Sequence, residues 1–124
     1  MKQWMGTIAT AAMMLSATQA LAEQASPASQ REVAQLLDFV AKSDCQFNRN
    51  GSWYDAKKAR DHLQEKYDYL NRRGQAPTAE TFIERAATQS SMSGKAYQVR
   101  CGSQPVMSSA SWLTTELKRL RTGH

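Results

Sequence analysis

The sequence predicts an α-dominant α+β fold: about four helices, a short β-hairpin and one added strand, closed by one disulfide. Three observations predict it. Four segments space their apolar residues at helical intervals. An Asn50-Gly51 pair separates two short β-prone runs. Two cysteines, Cys45 and Cys101, stand 56 residues apart behind an export-type leader. No internal repeat divides the chain, so residues 29–124 are expected to form a single globular domain.

The leader reads MKQWMGTIATAAMMLSATQALA. Lys2 is its only charge, an apolar and small-residue run fills Trp4 to Leu15, and Ala20-Leu21-Ala22 supplies the small-x-small cleavage pattern. Residues 1–22 are therefore expected to be a signal peptide cleaved after Ala22. The apolar run is too short to span a bilayer, which needs about 20 residues. A periplasmic location follows, with no stable membrane insertion after cleavage. The remaining 102 residues carry a formal charge of +4, one less than the whole chain once Lys2 is gone. An exported protein is kept from cytoplasmic nucleic acid, so such a surplus suits an anionic envelope component or an acidic periplasmic protein, or serves solubility alone. In an oxidising compartment Cys45 and Cys101 should pair. A loop of that length is worth about 4 kcal/mol by chain entropy. The rival, a metal site using His62 and His124, matches no zinc spacing. No metal and no cofactor is expected.

Residues 23–28, small and polar with Pro27, read as a mobile leader. Ser29-Gln-Arg-Glu32 has the form of a capping box, and Val33, Leu36, Leu37 and Val40 then fall on one helical face, which predicts a first helix from about Arg31 to Lys42. In CQFNRNGSWY the Asn-Gly pair supplies two residues tolerant of positive φ. The hairpin it predicts sets Arg49 opposite Ser52, Asn48 opposite Trp53 and Phe47 opposite Tyr54. Asp55 caps a second helix with an apolar stripe of Ala56, Ala59, Leu63, Tyr67 and Leu70. Arg72 and Arg73 suit its negative end, and Gly74 and Pro77 stop it. Thr78 caps a third helix with Ala79, Phe82, Ile83 and Ala86 inward, fading near Gln89. A strand from Ala96 to Cys101 turns Tyr97, Val99 and Cys101 to one side. Ser108 or Ser109 caps a last helix with Leu113, Leu117 and Leu120 on one face and Trp112 beside them.

The stretch SSMSGKAYQVRC, residues 90–101, invites a chemical reading. It fails as a phosphate-binding P-loop, because Gln89 stands where the first glycine belongs and Ala96 where Ser or Thr must follow the lysine. It fails as a Ser-x-x-Lys nucleophile at Met92, and Ser91 and Lys95 replace the glycines of a nucleophile elbow around Ser93. The simpler reading is a helix end turning at Gly94 into a strand. His62 is the only histidine inside a predicted element. With Ser90, Ser91 or Ser93 as nucleophile and Asp61, Asp68 or Glu80 as third member, it would be the base of a hydrolytic site. Alternatively it is a half-buried ring bonded to a hydroxyl or carbonyl. A metal pair of His62 and Glu65 has too few ligands. Arg49, Lys66, Lys95 and Arg100, with Asn50, Ser91, Ser93 and Tyr97, form a second candidate: a cationic groove in which a guanidinium fork meets carboxylate or phosphate beside aromatic rings. The competing reading is a solvated rim.

Four blocks, F-x-R-N-G at Phe47–Gly51, A-x-x-H-L-x-x-K at Ala59–Lys66, T-A-E-x-F-I at Thr78–Ile83 and S-S-x-S-G-K-x-Y-x-V at Ser90–Val99, resemble those of the YfeK-like small exported proteobacterial proteins, a domain-of-unknown-function family. The resemblance covers about Ser29 to Leu120. It implies a periplasmic protein, brings no activity with it, and marks Arg49, Asn50, His62, Lys66, Ser90, Ser91, Gly94, Lys95 and Tyr97 as motif members. The functional expectation is a non-enzymatic periplasmic binding or accessory protein for an anionic envelope ligand or partner. The alternatives are a small envelope-polymer hydrolase or transferase using a Ser/His pair, and a structural protein making contacts through an exposed Trp53 or Trp112.

Overall fold

The computed structural model describes residues 24–123. The expected signal peptide, Glu23 and His124 lie outside the described residues. Eight elements follow in order: α1 (Pro27–Lys42), β1 (Gln46–Arg49), β2 (Ser52–Tyr54), α2 (Ala56–Arg72), α3 (Ala79–Ala86), β3 (Gln98–Arg100), β4 (Met107–Ser108) and α4 (Ser109–Thr122). The fold is α+β and helix-dominant, as expected.

The first helix begins a turn earlier than the capping-box pattern suggests. Ser26, not Ser29, is the N-cap, and its side chain accepts from the Ser29 N–H. Pro27 occupies the first helical position, where its missing N–H costs nothing and its fixed φ suits the helix. Residues 25–28 are thus tied to the domain: Ala25 is buried, and its carbonyl accepts from the Gln30 side chain at 2.9 Å. Glu32, freed from capping, pairs across the molecule with Arg121. Asp55 and Thr78 cap α2 and α3 as the sequence predicts, and of the two serines offered for α4 the cap is Ser108. The third helix stops at Ala86, three residues short of Gln89, because Gln89 instead forms a β-bridge with Ala96.

Helix α1 packs against all three other helices. Its Val33, Leu36 and Val40 join Phe82, Val99 and Leu113 as the largest fully buried side chains among the described residues. Each such burial contributes about 1.5–3 kcal/mol relative to exposure. The antiparallel sheet, ordered β2-β1-β3-β4, lies along α2 and α4. The hairpin has the expected register, Phe47 against Tyr54, Asn48 against Trp53 and Arg49 against Ser52, with Asn50 and Gly51 both at positive φ. On its other side β1 pairs with β3, setting Phe47 against Val99. The sequence reading missed β4, a two-residue strand beyond Pro105 that hands Ser108 directly to α4 as its cap.

The disulfide joins Cys45 to Cys101 with the Cα atoms 4.4 Å apart. It locks the start of β1 to the end of β3. Trp112 packs its ring between Phe39, 4.5 Å away, and Phe47, 5.4 Å away. Trp53 is half-buried beneath the Arg100 guanidinium, 4.0 Å from its ring. Neither is the exposed tryptophan that partner docking through an indole would use.

Candidate functional site

Three of the four motif blocks converge. The hairpin carries Arg49 to the side of α2, where His62 lies one turn before Lys66. The Arg49 Nη1 group donates to His62 Nδ1 at 2.7 Å and lies 3.2 Å from Nε2. A guanidinium has no acceptor, so the closer nitrogen must hold the lone pair, and the network assigns the ring proton to Nε2. That proton faces the Tyr97 hydroxyl at 3.2 Å. Lys66 Nζ donates to the same hydroxyl, also at 3.2 Å, and to the Gln89 carbonyl at 3.2 Å. Tyr97 is held on both sides by its backbone, donating to Thr88 O at 2.9 Å and accepting from Ser109 N at 3.0 Å. Its ring is buried although its hydroxyl is polar.

The resulting cluster is rich in donors and poor in acceptors. The Tyr97 oxygen has both lone pairs engaged, so its own hydrogen must point elsewhere. Arg49 gives hydrogen bonds to His62 and Tyr54, with its guanidinium 5.1 Å from the Tyr54 ring, and keeps its remaining N–H groups. Among the described residues neither Arg49 nor Lys66 forms an ion pair with a carboxylate. The titration behaviour follows. Burial, then the charges of Arg49 and Lys66, push the His62 pKa down to about 4, so the ring is neutral. Burial and Arg49 also lower Lys66, and burial raises Tyr97. The hydrogen bond from Arg49 and its charge lower Tyr54.

Beside this cluster opens a cavity of about 360 Å³. Its floor is apolar, made by Phe47, Ala59, Leu63, Ala87 and Leu113. Arg49, His62, Tyr54 and Tyr97 form its polar side, and Lys58, Asp61 and Glu65 of α2 also border it.

A family model described as a family of unknown function, DUF5329, matches residues 27–121. The chain belongs to the DUF5329 family. The uncharacterized protein YfeK of Salmonella typhimurium (strain LT2) is 39% identical to it over 64 residues, covering 52% of each chain. The match thus spans about half the length of that curated relative. No solved structure matches the chain. The resemblance carried by the four blocks therefore holds at the level of family.

Within this DUF5329 domain the motif residues divide by role. Arg49, His62, Lys66 and Tyr97 meet as described. Asn50, at the hairpin tip, accepts a hydrogen bond from the Ser93 hydroxyl, so it fastens the tip to the 90–95 turn. Buried Ser90 organises that turn: its Oγ accepts from Met92 N at 3.2 Å and Ser93 N at 3.3 Å, and its backbone bonds Lys95 O and Gly94 N. Gly94 takes the positive φ needed there. The N–H groups of Met92, Ser93 and Gly94 are turned inward onto Ser90 and that of Lys95 onto the Ser93 hydroxyl, so these four form no cradle for an anion.

The serine–histidine pairing does not form. His62 bonds Arg49 and Tyr97, and among the described residues no hydrogen bond joins it to Ser90, Ser91 or Ser93. The proposed third members are engaged elsewhere, Asp61 with Arg60, Asp68 with Gln64 and Glu80 with Arg121. Lys95 and Ser91 are exposed and do not line the cavity, and Arg100 stacks on Trp53 instead of joining the cluster. The third block is structural: Thr78 and Thr81 make a capping box, and Phe82 packs edge-on to Tyr67 at 5.6 Å. Among the described residues no group of three or more His, Cys, Asp or Glu could hold a metal ion. Tyr54, Lys58, Ser109 and Leu113 of the cavity were not foreseen. Only the register of Tyr54 with Phe47 hinted at one of them.

Proposed function

We propose that this protein is a periplasmic binding or accessory protein that holds an oxyanion, carboxylate or phosphate, of an envelope component at Arg49. The observation that carries the reading is the surplus of donors around His62: Arg49 gives to the imidazole lone pair, Lys66 and the imidazole N–H both give to the Tyr97 oxygen, and among the described residues neither cation is in an ion pair with a carboxylate. Binding would supply the missing acceptors in a half-buried setting, where charge-assisted hydrogen bonds are stronger than between neutral groups. The export-type leader, the surplus positive charge and the disulfide support an envelope location for that ligand. No helix among the described residues is long and apolar enough to cross a membrane.

The test is calorimetric titration of the purified protein with phosphorylated glycolipid headgroups and acidic cell-wall fragments at two salt concentrations. Saturable binding that weakens in salt is expected, lost in Arg49→Ala and unchanged in Lys95→Ala, whose side chain lies outside the cavity. Indifference to every anion, or full binding by Arg49→Ala, contradicts the reading.

A further inference from the structure

From the shape and charge of the Arg49 cavity we infer that its ligand is a monoanionic amphiphile: a carboxylate on a single slender apolar body, such as a medium-chain acyl or aryl acid. This rests on the oxyanion reading above and narrows it. The cavity's volume of about 360 Å³ is at the small end for ligand sites, which run from roughly 300 to 1,000 Å³. It equals about a dozen water volumes, too little for a polysaccharide or a two-chain lipid. Its floor is built from Phe47, Ala59, Leu63, Ala87 and Leu113, which offer an occupant no hydrogen-bonding side chain. A fully polar anion would leave that surface uncovered, whereas an apolar body would bury it.

The charge around the opening selects the head group. Lys66 is turned to the Tyr97 hydroxyl and the Gln89 carbonyl and is not part of the lining, so the cations of the lining are Arg49 and Lys58, of which Arg49 is the one held in the His62–Tyr97 cluster. Its Nη1 is committed to His62 and the guanidinium also hydrogen-bonds Tyr54, which leaves its remaining N–H groups, beside the Tyr97 hydroxyl, as donors. A planar carboxylate matches such a set. Lys58, Asp61 and Glu65 also border the opening, and the two carboxylates there oppose the second charge of a phosphate dianion, although Asp61 is paired with Arg60.

The experiment compares octanoate, acetate, inorganic phosphate and octanol by calorimetry, with methyl NMR of Ala59, Leu63 and Leu113 as the site marker. Octanoate is expected to bind at least tenfold more tightly than each of the others and to move those methyl signals. Arg49→Gln should reduce octanoate to the level of octanol. Ala59→Leu, which fills the floor, should weaken octanoate about tenfold and leave acetate unchanged; circular dichroism establishes that the variant is folded, and the four-ligand comparison on the wild-type protein stands without it. Acetate or phosphate binding as tightly as octanoate would overturn the amphiphile and leave the oxyanion reading standing. Octanol binding as tightly as octanoate, or no binding by any of the four, would overturn the oxyanion reading together with this inference.

Discussion

Arg121 reaches from α4 to two carboxylates on other helices, Glu32 of α1 and Glu80 of α3. Its Nε and Nη2 lie 2.9 Å from the two Glu32 oxygens, and its remaining donors hold Glu80. Both carboxyls are pulled below their usual 4.5 by that hydrogen bonding, and Arg121 is raised in return. Arg49 reaches from β1 to a neutral imidazole and to Tyr54, and a second cation, Lys66, acts on the same imidazole. One arginine is satisfied by the fold and joins three helices. The other is held in place by the fold and left short of acceptors. The difference separates a structural charge from one retained for a ligand, and it can be tested from both ends.

The largest expected effect concerns the frame that holds Arg49 near Tyr97. Replacing Cys45 and Cys101 together by Ala should cost about 4 kcal/mol, the entropy of a loop closed across 56 residues. Denaturant melts with and without reductant measure it. Because the bridge ties β1 to β3, oxyanion binding should weaken even where the variant stays folded. Next comes Arg49→Met. Charge-assisted hydrogen bonds contribute about 1.5–3 kcal/mol, so affinity for a bound oxyanion should fall about 10- to 100-fold. Stability should stay level or rise, since an unbalanced cation leaves the side of His62. Calorimetry and thermal melts on one variant separate the two readouts.

Acid sharpens the contrast further. The folded His62 pKa, about 4, lies below the ordinary 6.5, so the unfolded chain takes up the proton first. The stability this neutral ring contributes is complete above pH 6.5 and is lost as pH falls towards 4. Allowing for solvent screening of a half-buried ring, the loss is about 2 kcal/mol or less. Glu32 and Glu80 respond in a different window: their depressed values contribute stability above 4.5 that is lost only below it. Stability against pH should therefore fall in two steps. His62→Gln should erase the upper one, and Arg49→Met should shrink it by removing a positive neighbour. The smallest effect is that of Arg121→Met. An exposed ion-pair network is worth about 1 kcal/mol, so the melt should shift slightly while oxyanion affinity stays unchanged.

What the sequence made legible follows the range of the interaction. The hairpin register was readable because Asn50-Gly51 is a local backbone requirement, and α2 because Asp55, its apolar stripe and Gly74 agree within one element. The disulfide was readable because two cysteines behind an export-type leader leave one pairing. The start of α1 was misplaced because two serines compete as cap, and a pattern of four residues cannot weigh Pro27 against Glu32. Glu32 is instead claimed by Arg121, 89 residues away. The site was half legible. Arg49, His62, Lys66 and Tyr97 were picked out as polar members of shared blocks. Their hydrogen-bond order was not, nor that Lys95 and Arg100 point elsewhere, since these depend on strand pairing and side-chain direction. The cavity floor was invisible, because Leu63 and Leu113 read in sequence as ordinary core residues.

Side-chain ¹⁵Nε NMR of the two arginines during a carboxylate titration gives the most direct test. If Arg49 is the unfilled charge, its signal should move saturably with octanoate while that of Arg121 stays fixed. Parallel movement of both signals, or an unmoved Arg49 beside bound ligand, would contradict the account.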